Sequence, residues 1–186
     1  MKWMIASDIH GSAKYCRLLM DAMAREGAEK LILLGDLLYH GPRNDLPDGY
    51  APKEVIGMLN EQKERLICVR GNCDAEVDQM VLDVPIMADY AIVRDGDITL
   101  FATHGHLYEG RPPMSEGMIM ISGHTHIPVW EPSGDDIRLN PGSVSIPKAG
   151  SRHGYMTLCD GVFRWHTLDG TEIHQYTIER KHKHDE

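Results

Sequence analysis

The chain has no apolar run approaching the roughly 20 residues that a bilayer-spanning helix needs. Its N-terminus, MKWMIASD, reaches an aspartate at position 8 without the hydrophobic stretch of a signal peptide, so no targeting segment is expected. Cysteine is sparse: Cys16, Cys68, Cys73 and Cys159 are scattered and form no CxxC pair, which fits reduced thiols and a cytoplasmic location. Positive charge is also short. With 19 Lys and Arg against 28 Asp and Glu, the net charge of −9 argues against a nucleic-acid backbone as partner. There is no internal repeat and no linker. One domain over 1–178 is expected, with the charged tail ERKHKHDE (179–186) frayed. What remains is an ordinary globular composition, 42 % hydrophobic and 25 % charged, in a chain of 186 residues long enough to bury a core.

Strands and helices alternate at first. KWMIASD (2–8), KLILLGD (30–36) and RLICVRGN (65–72) read as buried strands. Between them, residues 12–26 form an amphipathic helix capped by Ser12 and ended by Gly27, and Pro52 opens a second helix through Gln62. Asp74 is expected to cap a short helix around 75–82. DITLFATHGH (97–106) and MIMISGHTH (118–126) end two further strands. After 128 the texture changes to short strands: VWEP, IRLNPGSVS, GYMTLCD and VFRWHTL. Met114, Met118 and Met120 read as core and loop filling, and His174, His182 and His184 as solvated residues in charged surroundings.

Five of these strands end alike, in a small residue followed by groups able to bind a metal: SDIH, LGDLL, RGNCD, THGH and SGHTH. Where helical crossovers feed a sheet, ligand sites gather at the carboxyl ends of the strands. Neighbouring strands would then bring Asp8, His10, Asp36, Asn72, His104, His124 and His126 to one rim. In extended backbone, residues two apart share a face, so Asp8 would converge with His10, and His124 with His126. These are nitrogen and oxygen donors, suited to Mn²⁺, Fe²⁺, Ni²⁺, Co²⁺ or Zn²⁺ and poorly matched to Ca²⁺. Seven donors exceed the needs of one ion and suit two ions sharing a carboxylate. Two divalent ions outweigh Asp8, Asp36 and a bridging hydroxide, leaving roughly +1, so an acidic protein can attract an anionic substrate.

The words D-x-H, GD, GN, HGH and GHTH, in that order, resemble the calcineurin-like metallophosphoesterase superfamily. GDLLYHGPRN, VRGNCD, THGHLY, GHTHIPV and NPGSVSIPK are similar to its bacterial phosphodiesterases, over about residues 1–150. The resemblance implies an α/β fold: a four-layer α/β/β/α sandwich of two mixed sheets flanked by helices. It assigns Asp8, His10, Asp36 and His126 to one metal, and Asn72, His104 and His124 to the other, with Asp36 bridging. It implies two divalent ions, Mn²⁺ foremost, and in-line attack of a metal-bridging hydroxide on a small phosphodiester. Asp36, Asn72 and His104 would act catalytically through that hydroxide.

Two features depart from the family. Relatives often place a histidine after the GN asparagine, able to protonate the leaving alcohol; here Cys73 stands there, with an ordinary thiol pKa near 8.5. His40, Arg43 and Cys73 are the accessory candidates, and substrates with good leaving groups are expected. Between THGH and GHTH, Pro112 and Pro113 oppose a helix, so a tight loop is expected over 107–117. His106 serves either as hydrogen-bond partner of a ligand or as plain packing. NPGSVS (140–145) reads as a Pro-Gly turn whose Gly142 permits close approach to the site. Competing readings are an interaction scaffold, as in the retromer subunit of this fold, and a phosphomonoesterase. The latter would want extra cations, for which Arg43 and Lys148 are the candidates. Apolar residues in loop 37–51 point to a homo-oligomer.

Overall fold

Buried runs that alternate with amphipathic segments fold as parallel strands joined by helical crossovers. The computed structural model describes residues 1–108, 112–130 and 137–178. Strand β1 (Trp3–Ala6) leads into α1 (Ala13–Glu26), where the Ser12 hydroxyl accepts the Tyr15 N–H at 3.3 Å. Gly27, at φ 61°, closes that helix in the left-handed conformation that its missing Cβ tolerates. β2 (Lys30–Leu33) pairs parallel with β1, and α2 (Pro52–Glu61), with proline in its first turn, carries the chain to β3 (Leu66–Cys68). A short α3 (Glu76–Gln79) follows. β4 (Tyr90–Asp95) and β5 (Ile98–Thr103) then make a hairpin, and β6 (Ile119–Ile121) and β7 (Arg138–Leu139) extend it in parallel. Finally β8 (Gly154–Cys159), β9 (Val162–Thr167) and β10 (Glu172–Thr177) return as an antiparallel meander onto β1.

The result is two mixed sheets, ordered β10-β9-β8-β1-β2-β3 and β4-β5-β6-β7. Strands of the first sheet are apolar on both faces because both are covered. Met4, Ala6, Leu31 and Leu33 pack against Cys16, Leu19 and Met23 of α1 and Val55 and Leu59 of α2. Their neighbours Trp3, Ile5 and Ile32 point the other way, onto Leu100, Ala102, Ile119 and Ile121 of the second sheet. Each such buried aliphatic contributes about 1.5–3 kcal/mol of transfer free energy. Among the described residues, all α-helices precede β4, and the crossover between β5 and β6 contains none. No helix among the described residues is long and apolar enough to cross a membrane.

Several expectations need correction. VWEP supplies only an isolated bridge from Val129 to Asn140 before residues outside the described set, and IRLNPGSVS only the two residues of β7. β4 and β10 were not anticipated; β4 is an edge strand with Tyr90 and Ile92 exposed and Val93 buried, half a pattern. Asp74 does not cap α3, whose N-cap is Ala75. His174 is not freely solvated: its ring stacks on Trp130 at 5.2 Å, half-buried. The tail at 179–186, with His182 and His184, lies outside the described residues.

Candidate metal centre

The carboxyl ends of β1, β2, β3, β5 and β6 meet at one rim, tied by backbone bonds such as His10 N–H to Asp36 O (2.8 Å) and Gly123 N–H to His104 O (3.0 Å). All seven expected donors converge there. His10 Nε2 lies 3.6 Å from Asp8 Oδ1, 3.6 Å from Asp36 Oδ2 and 3.3 Å from His126 Nε2. His126 Nε2 is 3.2 Å from Asp8 Oδ1. On the other side, His104 Nε2 is 3.5 Å from Asp36 Oδ2, 3.0 Å from Asn72 Oδ1 and 3.2 Å from His124 Nδ1. Asp36 therefore stands between two donor groups. Asp8, His10, Asp36, His104 and His126 are buried, while Asn72 and His124 reach toward solvent.

The convergence does not come from extended alternation, as the sequence suggested. β1 stops at Ala6 and β6 at Ile121, before their candidate ligands begin. Asp8 (φ 60°), His10 (φ 48°), Asp36 (φ 55°), His124 (φ 67°) and His126 (φ 61°) all adopt left-handed backbone. Asp and His are enriched among residues that tolerate this region, yet a residue held there carries strain of order 1–3 kcal/mol. Strain gathered on five side chains of one cluster marks a site where position outranks comfort.

The ring orientations carry most of the chemistry. Nδ1 of His10, His104 and His126 lies 2.8, 2.7 and 2.6 Å from the backbone oxygens of Tyr39, Leu34 and Ile146. A carbonyl only accepts, so each Nδ1 carries the proton and each Nε2 turns a lone pair inward. Those lone pairs face one another and the carboxylates, and Asp8 Oδ1 is buried without a hydrogen-bond donor. A cluster of buried acceptors with no donor between them is stable only around a cation. Without one, the cluster holds protons instead. Burial opposes a charged His104, but the Asp36 and Asp8 carboxylates overcome it and raise its pKa to about 9. Burial likewise opposes ionising Asp8, and its imidazole neighbours hold that carboxyl far below the usual range. His106 packs edge-on against His104, 5.3 Å between centroids, and its buried Nδ1 has no partner, so packing is the role seen.

Residues assigned other roles from the sequence hold the candidate ligands in place. Asp74 accepts the N–H groups of Asp36 (2.8 Å), Leu37 (2.8 Å) and Gly71 (2.7 Å), clamping the turns after β2 and β3. Ser143 and Ser145 both donate from Oγ to the Asp8 carbonyl, at 3.0 and 2.9 Å. Asn140 Nδ2 donates to Gly123 O at 2.8 Å, and its Oδ1 accepts Gly142 N–H at 2.8 Å. NPGSVS thus does approach the site, through the side chains of Asn140, Ser143 and Ser145, whereas Gly142 abuts Pro128. Close packing explains two glycines: a Cβ on Gly71 would sit 2.1 Å from Asp36 Oδ1, and one on Gly123 1.9 Å from Ser7 Oγ.

A cavity of about 510 Å³ opens over the cluster, lined by Asp36, Asn72, His124 and His126 together with Arg43, Cys73 and Lys148. Of the accessory candidates, His40 does not line it; that ring sits edge-on to Tyr39 and Tyr50 instead. Cys73 does, with Sγ 3.2 Å from Asn72 Nδ2, and partial burial with the Asp36 carboxylate pushes its thiol up to about 12.

A rim of strand ends bearing this donor set is what phosphoester hydrolases with metal centres use, and the comparisons agree. Residues 1–160 match the calcineurin-like phosphoesterase superfamily domain, and the chain belongs to that superfamily. It is an enzyme of the hydrolase class. Among individual relatives, it is 49 % identical to phosphodiesterase YfcE of Escherichia coli K12 over 175 residues, covering 93 % of this chain and 95 % of that protein. The solved structure of YfcE, described as a phosphoesterase from E. coli, superposes with TM-score 0.92 at 47 % identity, over 96 % of this chain and 100 % of that one. Vacuolar protein sorting 29 from Cryptosporidium parvum shares the fold at TM-score 0.62 and 17 % identity, over 95 % and 98 % of the two chains. The superfamily implies divalent metal ions, and the residues present fit them.

Proposed function

We propose that this chain is a phosphodiesterase with a two-ion centre. Asp8, His10, Asp36 and His126 would hold one divalent ion, and Asp36, Asn72, His104 and His124 the other. The observation that carries the reading is the trio of Nδ1–H to carbonyl bonds, which leaves three imidazole lone pairs aimed at two carboxylates. A pair of bound divalent ions supplies a Lewis-acid clamp on phosphoester oxygens and a nucleophile deprotonated at neutral pH. The chain's own contribution is position. Asp36 Oδ2 sits near-equidistant from His10 and His104, at 3.6 and 3.5 Å, which supports its being shared between the two donor sets. The donors are nitrogen and oxygen, which suits Mn²⁺ among the available metals. Four free cysteines, two of them buried, support a cytoplasmic location.

Among the titratable accessory candidates Cys73 lines the cavity, beside Asn72, and a thiol near 12 donates a proton poorly at neutral pH. Substrates are therefore diesters whose leaving group departs without help, such as aryl esters. Metal analysis of the purified protein should find up to about two transition ions per chain, and Mn²⁺ should activate hydrolysis of an aryl phosphodiester. Turnover with none of the divalent metals would overturn the reading in favour of a scaffold. A leaving-group series should show rates falling steeply as the alcohol's pKa rises; a flat series would mean that another residue supplies the proton.

A further inference from the structure

The cavity above the centre holds more positive charge than a simple diester can use. Arg43 and Lys148 both line it, one from each of the two loops at its border. Among the described residues, the ion-paired lysines and arginines include Lys2, Lys14, Arg17, Lys63, Arg70 and Arg164, and neither Arg43 nor Lys148 has an acidic partner. Asp36 is the only carboxylate among the described residues lining the cavity, in a protein of net charge −9. Two unpaired cations beside a metal centre are notable where acids outnumber bases so clearly.

Both are held by segments fixed to the centre. The Lys148 N–H donates to the carbonyl of His126 at 3.2 Å, and the Lys148 carbonyl accepts both the N–H and the hydroxyl of Ser151. His126 Nδ1 bonds Ile146 O two residues earlier, so this stretch is stapled to a ligand at two points. On the other border, Asn44 ties the turn carrying Arg43, its N–H to Gly41 O and its Nδ2 to His40 O. Gly41 abuts Cys73, where an added Cβ would lie 3.0 Å from Sγ. A cation on a tethered backbone loses less freedom on binding than one on a loose loop.

Charge then defines the substrate. A loaded centre carries roughly +1, which one diester phosphate neutralises. The two cations remain for another group, and about 510 Å³ leaves room for it beyond the scissile phosphate. We propose that Arg43 and Lys148 select phosphodiesters in which the retained alcohol bears a further anionic group, a carboxylate or a phosphate. This rests on the phosphodiesterase reading and names the substrate class of that same site. Arg43 offers a planar fork that grips two oxygens at once, and Lys148 a compact charge.

The test uses 4-nitrophenyl phosphodiesters, so the leaving group never changes. The second ester is ethyl, a carboxylate-bearing glycolate, or a phosphate-bearing ethanediol monophosphate. With the Mn²⁺-loaded enzyme, kcat/KM should be about tenfold or more higher for at least one anionic ester, mostly through KM, and the advantage should shrink as salt rises. Arg43→Gln and Lys148→Gln should each cut the anionic-to-ethyl ratio several-fold. A merely structural role would lower all substrates together and leave the ratio intact. A ratio near one in the wild type, or one unmoved by either substitution, overturns the inference. Calorimetry with the matching 4-nitrobenzyl phosphonates, in which a methylene replaces the leaving oxygen so that the bond under test cannot be cleaved, separates this outcome from failure of the phosphodiesterase reading. Absence of turnover with tighter binding of the anionic phosphonate sinks that reading alone; equal binding of all phosphonates sinks this one.

Discussion

Asp74→Asn tests whether the ligands are held from behind. The Asp74 side chain is 8 % exposed and makes no contact with substrate space, yet its two oxygens accept three backbone N–H groups from the turns that carry Asp36 and Gly71. Oδ2 takes Asp36 and Gly71, and Oδ1 takes Leu37. Asparagine is the same size but keeps one acceptor oxygen. If that oxygen serves the two donors of Oδ2, the new amide N–H₂ faces the Leu37 N–H, donor against donor. One hydrogen bond to a charged acceptor, worth about 1.5–3 kcal/mol, is lost, and a buried donor is stranded at about 1–3 kcal/mol. Removal of the charge recovers part of the burial cost that raises this carboxyl's pKa. A net loss of about 2–4 kcal/mol is expected, or roughly 5–15 °C in Tm for a chain of this size. Urea unfolding and thermal melts measure it directly. Activity should fall as well, on the order of 100-fold for a shift of about 1 Å in Asp36. A variant within about 0.5 kcal/mol of wild type, with unchanged kcat/KM, would show that these bonds do not position the site.

The remaining predictions are shorter. Gly71→Ala puts a methyl 2.1 Å from Asp36 Oδ1, so metal content and activity should both drop, at least tenfold in rate; normal metal content would mean that the turn yields. Asp36→Asn should abolish nearly all hydrolysis while circular dichroism and melting show a folded protein, and retained activity would reject the bridging role. In metal-free protein His104 is protonated more strongly than in the unfolded chain, so its stabilising share is complete below about 6.5 and lost as pH rises through about 9. Metal-free stability should therefore decline over that window, and metal uptake at neutral pH should release protons, seen by calorimetry in buffers of different ionisation enthalpy. A proton count of zero would contradict the raised pKa of that ring.

How much was legible depends on the range of the interactions concerned. Ser12, Gly27 and Pro52 announced helix ends because capping is local, settled within a turn of backbone. The seven donors were legible as a set because each follows an apolar run in a short word, and strand ends are where such words collect. β4 escaped notice because an edge strand shows only half an alternation, and Asp74 was mistaken for a cap because its partners lie up to 38 residues away.

By itself the amino-acid order determined which residues could be ligands, the α/β class and the bounds of the two long helices, since periodicity and caps are properties of neighbours. Only tertiary structure decided that five of the seven candidate ligands adopt left-handed backbone, that carbonyls of Tyr39, Leu34 and Ile146 turn three imidazole lone pairs inward, and that Ser143, Ser145 and Asp74 brace the cluster. Those outcomes depend on groups that meet after the two sheets pack, and a hydrogen bond between partners 70 residues apart, as from His104 to Leu34, leaves no periodic trace along the chain.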